Sequence, residues 1–292
     1  MAKRFYTINP TDYDFDTVFD EEEIVNEERD ARLQSLGDPH IVRYRTKTIK
    51  SGNMLEVEIY PIWDTHKSTV RARKTKASRE AQKNLNYKNA IKTVVRLVNA
   101  NFTNGDVWAT FTYDADHLPP NRPAAEKELT KYIRRLKYHN DKHGLPPLKY
   151  VYWTEYETDE KKGKIRVHHH LVTNFRDRDV MEGLWHNGGR SQTRRLYADE
   201  NEFEGMTRYC MKDPKGAKRF VASKNLTKPQ ITVADHKFTR RKVNRLYNGD
   251  IPARSTFEKM YKGYAMTKFD GKTSEYVSGA YLYVKMHKKR RE

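Results

Sequence analysis

Hydrophobic and polar residues alternate in three segments near the middle of the chain, as they do in half-buried β-strands. Residues 107–113 form the first segment, and residues 150–157 and 165–173 form two more, separated by the polar turn segment 159–164. Strands joined by so short a turn form a hairpin and run antiparallel. The pattern therefore predicts an antiparallel sheet at the centre of the chain.

Other segments have helical periodicity or the signature of a second hairpin. Apolar residues recur at helical spacing over about residues 78–101 and between Pro123 and Gly144, and a short helix is predicted around residues 205–213. Two β-rich runs between residues 41 and 63 flank the turn-forming Ser51-Gly52-Asn53, which predicts a hairpin. The predicted fold class is α+β, with an antiparallel central sheet and flanking helices.

The charge of the chain indicates an anionic partner. The 292 residues carry a net charge of +18 with 12% aromatic residues, so the chain combines a core with a basic exterior. Such an excess of Lys and Arg attracts polyanions, of which nucleic acid is the commonest large one. The chain contains no run of 18 apolar residues, so no membrane partner is expected.

Charge also divides the chain into three predicted regions. Residues 1–40 hold 11 Asp/Glu against 4 Lys/Arg and form an acidic arm, which either covers the nucleic-acid site or is a solvated lead-in. Residues 41–230 are predicted to form the functional domain, and residues 231–292 a C-terminal extension with a strand-like run at 281–286. The basic run 71–76 is either a phosphate contact or a linker.

Three consecutive histidines, His168-His169-His170, lie within a predicted strand. Because side chains alternate on a strand, His168 and His170 share one face while His169 lies on the other. Histidine is the commonest metal ligand, and a third ligand completes a site that keeps positions open for a substrate.

The preceding strand offers two carboxylates as that third ligand. If the hairpin turn is centred between Lys162 and Gly163, antiparallel register places Glu155 opposite His170 and Glu157 opposite His168. Mixed nitrogen and oxygen ligation suits Mn²⁺, Mg²⁺ or Zn²⁺. The lone Cys210 excludes an internal disulfide and a CxxC zinc site.

The predicted short helix supplies a candidate nucleophile. Tyr209 and Lys212 are neighbours on its surface, while Met206 and Cys210 mark the face that packs inward. A protonated phenol is a weak nucleophile, and a neighbouring ammonium favours the phenolate or steadies phosphate charge.

Together these motifs resemble those of HUH endonucleases, and specifically those of rolling-circle replication initiators of small single-stranded DNA phages and plasmids. The resemblance covers about residues 90–230 and rests on the following segments: Ala109–Tyr113, Thr154–Tyr156, Arg166–Val172, Arg208–Lys212 and the basic Lys218–Leu226. It implies the HUH fold, which is RRM-like, and it implies that Glu155, His168 and His170 bind Mn²⁺ or Mg²⁺. By the same likeness Tyr209 is the nucleophile and Lys212 its helper. The chain departs from the pattern at His169, where an apolar residue is usual, and in a longer Glu-to-His spacing that leaves Glu157 as a rival ligand.

The same segments supply the candidate nucleic-acid contacts. They combine residues of the first strand with basic residues near the histidines and the tyrosine: Thr112, Tyr113, Arg166, Arg208, Lys218, Arg219 and Lys224.

The implied function is site- and strand-specific nicking and rejoining of single-stranded DNA, or of an origin hairpin, through a 5′-phosphotyrosine in a bacterial host cytoplasm. The segment Gly271-Lys272-Thr273 does not complete a P-loop, since Met266 stands where the first glycine is needed. A host helicase and polymerase are therefore expected as partners. Three alternatives remain: a relaxase or transposase of the same class, a non-catalytic basic nucleic-acid-binding protein, and a zinc hydrolase.

Overall fold

The computed structural model describes residues 41–63, 80–159, 164–211, 219–273 and 279–289. The acidic arm and the basic run 71–76 lie outside these residues. Contacts divide the chain into two compact units: the described residues up to Ala90 together with those from Pro229 onwards, and residues Ile91 to Lys228.

The described residues contain helices and antiparallel strands. The strands are β1 (Ile41–Ser51), β2 (Met54–Trp63), β3 (Val107–Thr112), β4 (Tyr150–Asp159), β5 (Lys164–Thr173), β6 (Ser191–Arg195), β7 (Val221–Ala222), β8 (Gln230–Ala234), β9 (Tyr264–Lys272) and β10 (Tyr281–Lys288). The helices are α1 (Glu80–Asn101), α2 (Arg122–Lys142), α3 (Arg178–Gly183), α4 (Glu204–Cys210), α5 (Arg240–Tyr247) and α6 (Ala253–Met260). The predicted α+β class is confirmed. None of the described helices is long and apolar enough to cross a lipid bilayer.

The first unit is built on a five-stranded antiparallel sheet with the order β8-β1-β2-β10-β9. Its centre is the predicted hairpin β1–β2, in which Gly52 turns the chain with a φ of 59°. The sequence analysis grouped this hairpin with residues up to 230, whereas β1 pairs with β8 and β2 pairs with β10. Strand partners this far apart in sequence are chosen by packing, which local patterns do not report.

One face of this first sheet is covered by α5 and α6. Val57 and Val284 of the sheet and Phe257 of α6 are completely buried in a shared core. The run Gly271-Lys272-Thr273 begins at the end of β9, which pairs along its length with β10. A P-loop precedes a helix, so this position agrees with the sequence analysis, in which no P-loop was assigned.

The second unit contains the other five-stranded antiparallel sheet, with the order β6-β3-β5-β4-β7. Helix α2 begins after Asn121, whose side-chain oxygen accepts a hydrogen bond from the backbone N–H of Ala124 at 2.9 Å. The predicted apolar stripe is buried against the sheet: Leu129, Tyr132, Ile133 and Leu136. Phe111 of β3 lies edge-on to Tyr132 with ring centroids 4.7 Å apart, so this face forms the core of the unit.

The register of the β4–β5 hairpin differs from the prediction by two residues. Glu155 pairs with His168, and Trp153 pairs with His170, so the predicted pairing of Glu155 with His170 was wrong. Residues 160–163, which include the predicted turn centre, lie outside the described part. Because side chains alternate with a period of two, a shift of two residues keeps Glu155 on the face of His168 and His170.

We predict that the α2 stripe stabilises the second unit strongly. Leu129→Ala should lower the free energy of unfolding by roughly 2–5 kcal/mol, because the side chain is completely buried and its removal leaves a cavity. Urea denaturation of the full chain measures this change. Leu145→Ala is the matched control, since Leu145 is 45% exposed, and an equal loss in both variants would contradict the assignment of the core.

Candidate metal and nucleophile site

The face of the second sheet that lies opposite α2 carries the chemistry predicted from the sequence. Thr112 pairs with His168, which in turn pairs with Glu155, so the three side chains form one row across β3, β5 and β4. Thr110 and His170 form the next row. Side chains opposite one another in neighbouring strands are about 5 Å apart at Cβ, so the two rows bring histidine and carboxylate together.

Glu155, His168 and His170 form a compact cluster. His168 Nε2 lies 2.7 Å from Glu155 Oε2, and His170 Nε2 lies 3.5 Å from Glu155 Oε1. One ligand atom from each residue lies within 4.8 Å of the other two, which is a group that could hold a metal ion. Two imidazoles and one carboxylate match the donor sets that bind divalent cations with open positions.

The hydrogen bonding of His170 fits a metal ligand. Its Nε2 is buried and makes no hydrogen bond among the described residues, while its Nδ1 lies 3.0 Å from Thr110 Oγ1. In the tautomer with a free lone pair on Nε2, Nδ1–H donates to this hydroxyl, as metal-bound histidines commonly do with their second nitrogen. A buried nitrogen without a partner is costly, and a cation would satisfy it.

The electrostatics of Glu155 also favour a bound cation. Partial burial acts to raise the pKa of this carboxyl, but His168 and His170 beside it more than offset the burial, so the pKa lies well below its usual range. The carboxylate is therefore charged at neutral pH and is held among nitrogen donors.

His169 lies on the opposite face, as predicted, and is completely buried toward α2. Its Nδ1 is 2.9 Å from Thr154 Oγ1 and its Nε2 is 2.8 Å from the hydroxyl of Tyr113. Burial, together with the neighbouring His168 and His170, lowers the pKa of His169 to about 3. A neutral imidazole satisfied by two hydroxyls thus occupies a core position where an apolar residue was expected.

Tyr209 approaches the cluster from α4. Thr207 and Cys210 of this helix are buried, whereas Tyr209 is 56% exposed. Its ring lies edge-on to two residues of the cluster face, with centroid distances of 5.9 Å to His170 and 6.2 Å to Trp108. Lys212, the predicted helper, lies outside the described residues.

Tyr209, His168 and His170 line a common pocket of about 410 Å³. The sequence analysis missed three other residues of its wall: Trp108, Gln192 and Arg194. The alternation in β3 could have indicated Trp108, which shares a face with Thr110 and Thr112. The other two come from β6, a strand that the sequence analysis interpreted as part of a loop.

The predicted nucleic-acid contacts are divided between the pocket and other surfaces. Thr112 and Tyr113 line the pocket. Arg208 is exposed and pairs with Glu204 on its own helix at 2.7 Å, and it is not part of the pocket wall. Two further described residues, Arg219 and Lys224, also lie outside that wall. Lys218 and the side chains of Arg166 and of Glu157, the rival ligand, lie outside the described part of the chain.

The comparison with known protein families covers this site. Residues 106–214 match the family model of the replication-associated protein ORF2. No match was found among curated proteins or among solved structures. The matched residues extend from the start of β3 to just beyond α4 and so include Glu155, both cluster histidines and Tyr209. Over these residues the chain belongs to the replication-associated protein ORF2 family, a family of rolling-circle replication initiators.

Proposed function

We propose that the protein starts rolling-circle DNA replication by nicking and rejoining single-stranded DNA through a 5′-phosphotyrosine, as HUH endonucleases do. The observation that carries the proposal is the position of Tyr209. Its exposed ring lies 5.9 Å from the ring of His170, within the same pocket as the metal-ligand cluster. A phosphate in that pocket would contact the nucleophile and the cluster at once.

The residues present suit a divalent cation, Mn²⁺ or Mg²⁺, held by Glu155, His168 and His170. When bound, such an ion would polarise and orient the scissile phosphate as a Lewis acid. Thr110 holds the His170 ring in one orientation through Nδ1, and the core packing of the sheet fixes the backbone of all three ligands. The site therefore requires little rearrangement to bind the ion.

The reaction that this arrangement supports is a transesterification. The Tyr209 oxygen attacks the phosphorus, the phenol loses its proton, and the bond from phosphorus to the 3′-oxygen breaks. The 3′-oxygen takes up a proton and leaves as a hydroxyl, and a 5′-phosphotyrosine remains. Because one phosphoester bond replaces another, a 3′-hydroxyl can reverse the step and rejoin the DNA.

The rings around Tyr209 serve this step by limiting the positions of the phenol. Trp108 and His170 both lie edge-on to it, which restricts the ring while the hydroxyl end stays accessible. Holding a nucleophile near its target in a fixed orientation removes much of the entropic cost of the reaction. Lys212 remains the proposed helper of the phenolate.

Single-stranded DNA is the proposed substrate because of the form of the site. The phosphate must reach a pocket of about 410 Å³ whose floor is a β-sheet and whose roof includes Tyr209. A flexible single strand can thread its backbone there, whereas a stiff duplex cannot. A host helicase and polymerase are the proposed partners for unwinding and synthesis.

Our first prediction concerns the nucleophile. The wild-type chain, incubated with single-stranded origin oligonucleotides and Mn²⁺, should form a covalent protein–DNA band that survives denaturing electrophoresis. Tyr209→Phe should abolish this band, because only the attacking oxygen is removed. Tyr197→Phe is the matched control, since Tyr197 is 79% exposed and does not line the pocket.

The band should persist in Tyr197→Phe at the wild-type level. A band of unchanged intensity in Tyr209→Phe would show that another residue is the nucleophile. A wild-type chain that binds DNA without forming any band would instead be a non-catalytic DNA-binding protein.

Our second prediction concerns the metal. His168→Ala, His170→Ala and Glu155→Gln should each weaken Mn²⁺ binding, measured by calorimetry, by at least about 10- to 100-fold, since loss of even an outer-shell partner has effects of that size. His186→Ala is the control, because His186 is an exposed histidine outside the cluster. Equal Mn²⁺ affinity in the wild type and the three ligand variants would contradict the assignment.

A further inference from the structure

Strand β6 adds two polar side chains to the wall of the pocket. Gln192 pairs with Thr110, which pairs with His170, and Arg194 pairs with Trp108. Gln192 is therefore level with the metal-ligand cluster, and Arg194 is level with the tryptophan that contacts Tyr209. Both side chains line the pocket.

The side chains of Gln192 and Arg194 are not used by the fold. Both are exposed, and within the described part of the chain neither has a hydrogen bond or an ion pair. Their neighbours on the other face of β6 are used differently: Thr193 is buried, and the Arg195 guanidinium donates to the carbonyl oxygen of Gly105 at 2.7 Å. The free amide and the free guanidinium are thus the two that face the pocket.

The chemistry of this wall matches a nucleotide. A glutamine amide carries a donor and an acceptor side by side and can bind the edge of a base in two places. An arginine guanidinium binds phosphate oxygens with its planar fork. The half-buried Trp108 adds an aromatic surface of the kind on which unpaired bases stack. A volume of about 410 Å³ is at the lower end of ordinary ligand pockets, which suits one nucleotide rather than several.

We propose that Trp108, Gln192 and Arg194 form a subsite for the nucleotide next to the phosphate that is cut. Gln192 reads the edge of the base, Arg194 binds the phosphate that flanks it, and Trp108 supports the base. The subsite rests on the proposed function, since it takes the pocket to be the DNA-cutting site. It would set which base is accepted beside the nick.

The test is a binding selection with the full chain carrying Tyr209→Phe, so that bound DNA is not cut. The probe is a pool of single-stranded DNA oligonucleotides of randomised sequence, and the bound fraction is sequenced. Adding Gln192→Ala should relax the preference for a base at one position by about 5- to 100-fold and leave the other positions unchanged. Adding Arg194→Ala should weaken binding across all sequences and reduce the salt dependence by about one phosphate contact.

Two further variants separate charge from geometry and from general surface effects. Arg194→Lys should retain the salt dependence but bind more weakly than the wild type, because an ammonium lacks the planar fork. Arg195→Ala, on the opposite face of the same strand, should leave both the selected sequences and the salt dependence unchanged. Circular dichroism checks that every variant is folded.

Identical selected sequences and identical salt dependence in the Gln192 and Arg194 variants would overturn the subsite. That result is distinguishable from failure of the proposed function, which is judged by the covalent band of the chain that retains Tyr209. A band with no effect of Gln192 or Arg194 on selection removes only the subsite. Position-specific selection without any band leaves the subsite as a binding site and removes the nicking reaction.

Discussion

The strict alternation of side chains along β5 is the constraint on which the candidate site depends. Three consecutive histidines on a strand must separate, two to one face and one to the other. His168 and His170 thereby meet Glu155 on the open face, while His169 is buried among Thr154, Tyr113 and α2. The same backbone thus supplies two metal ligands and one core residue, and a one-residue shift of register would exchange these roles.

Burial separates the protonation behaviour of these neighbours. His169 is fully buried and its pKa falls to about 3, so its imidazole stays neutral at the pH of ordinary function. Glu155 lies beside two imidazoles, and its pKa stays low despite partial burial. The open face therefore gathers nitrogen lone pairs around one charged carboxylate, which is the environment that a divalent cation stabilises. The core face carries no charge of its own from the histidine triplet.

The sheet also determines how the substrate would meet this chemistry. The central strand β3 lies between β5, which carries the histidines, and β6, which carries Gln192 and Arg194. Trp108 of β3 contacts both His170 and Tyr209. The ligands, the nucleophile and the proposed base-reading residues therefore share one rigid surface, and their relative positions are set by strand pairing more than by loops. Rigid placement of this kind favours a reaction that depends on orientation.

The sequence by itself determined the features that follow from local periodicity. Alternation predicted β3, β4 and β5, the faces of the three histidines and the apolar stripe of α2, because strand and helix periods are properties of adjacent residues. Tertiary structure decided the rest. The exact pairing of Glu155 with His168 depends on a turn whose length the pattern did not specify, and the partners of the β1–β2 hairpin come from residues beyond 229. The wall residues Gln192 and Arg194 belong to the site only because β6 pairs with β3, a strand far away along the chain, and no local pattern contains that contact.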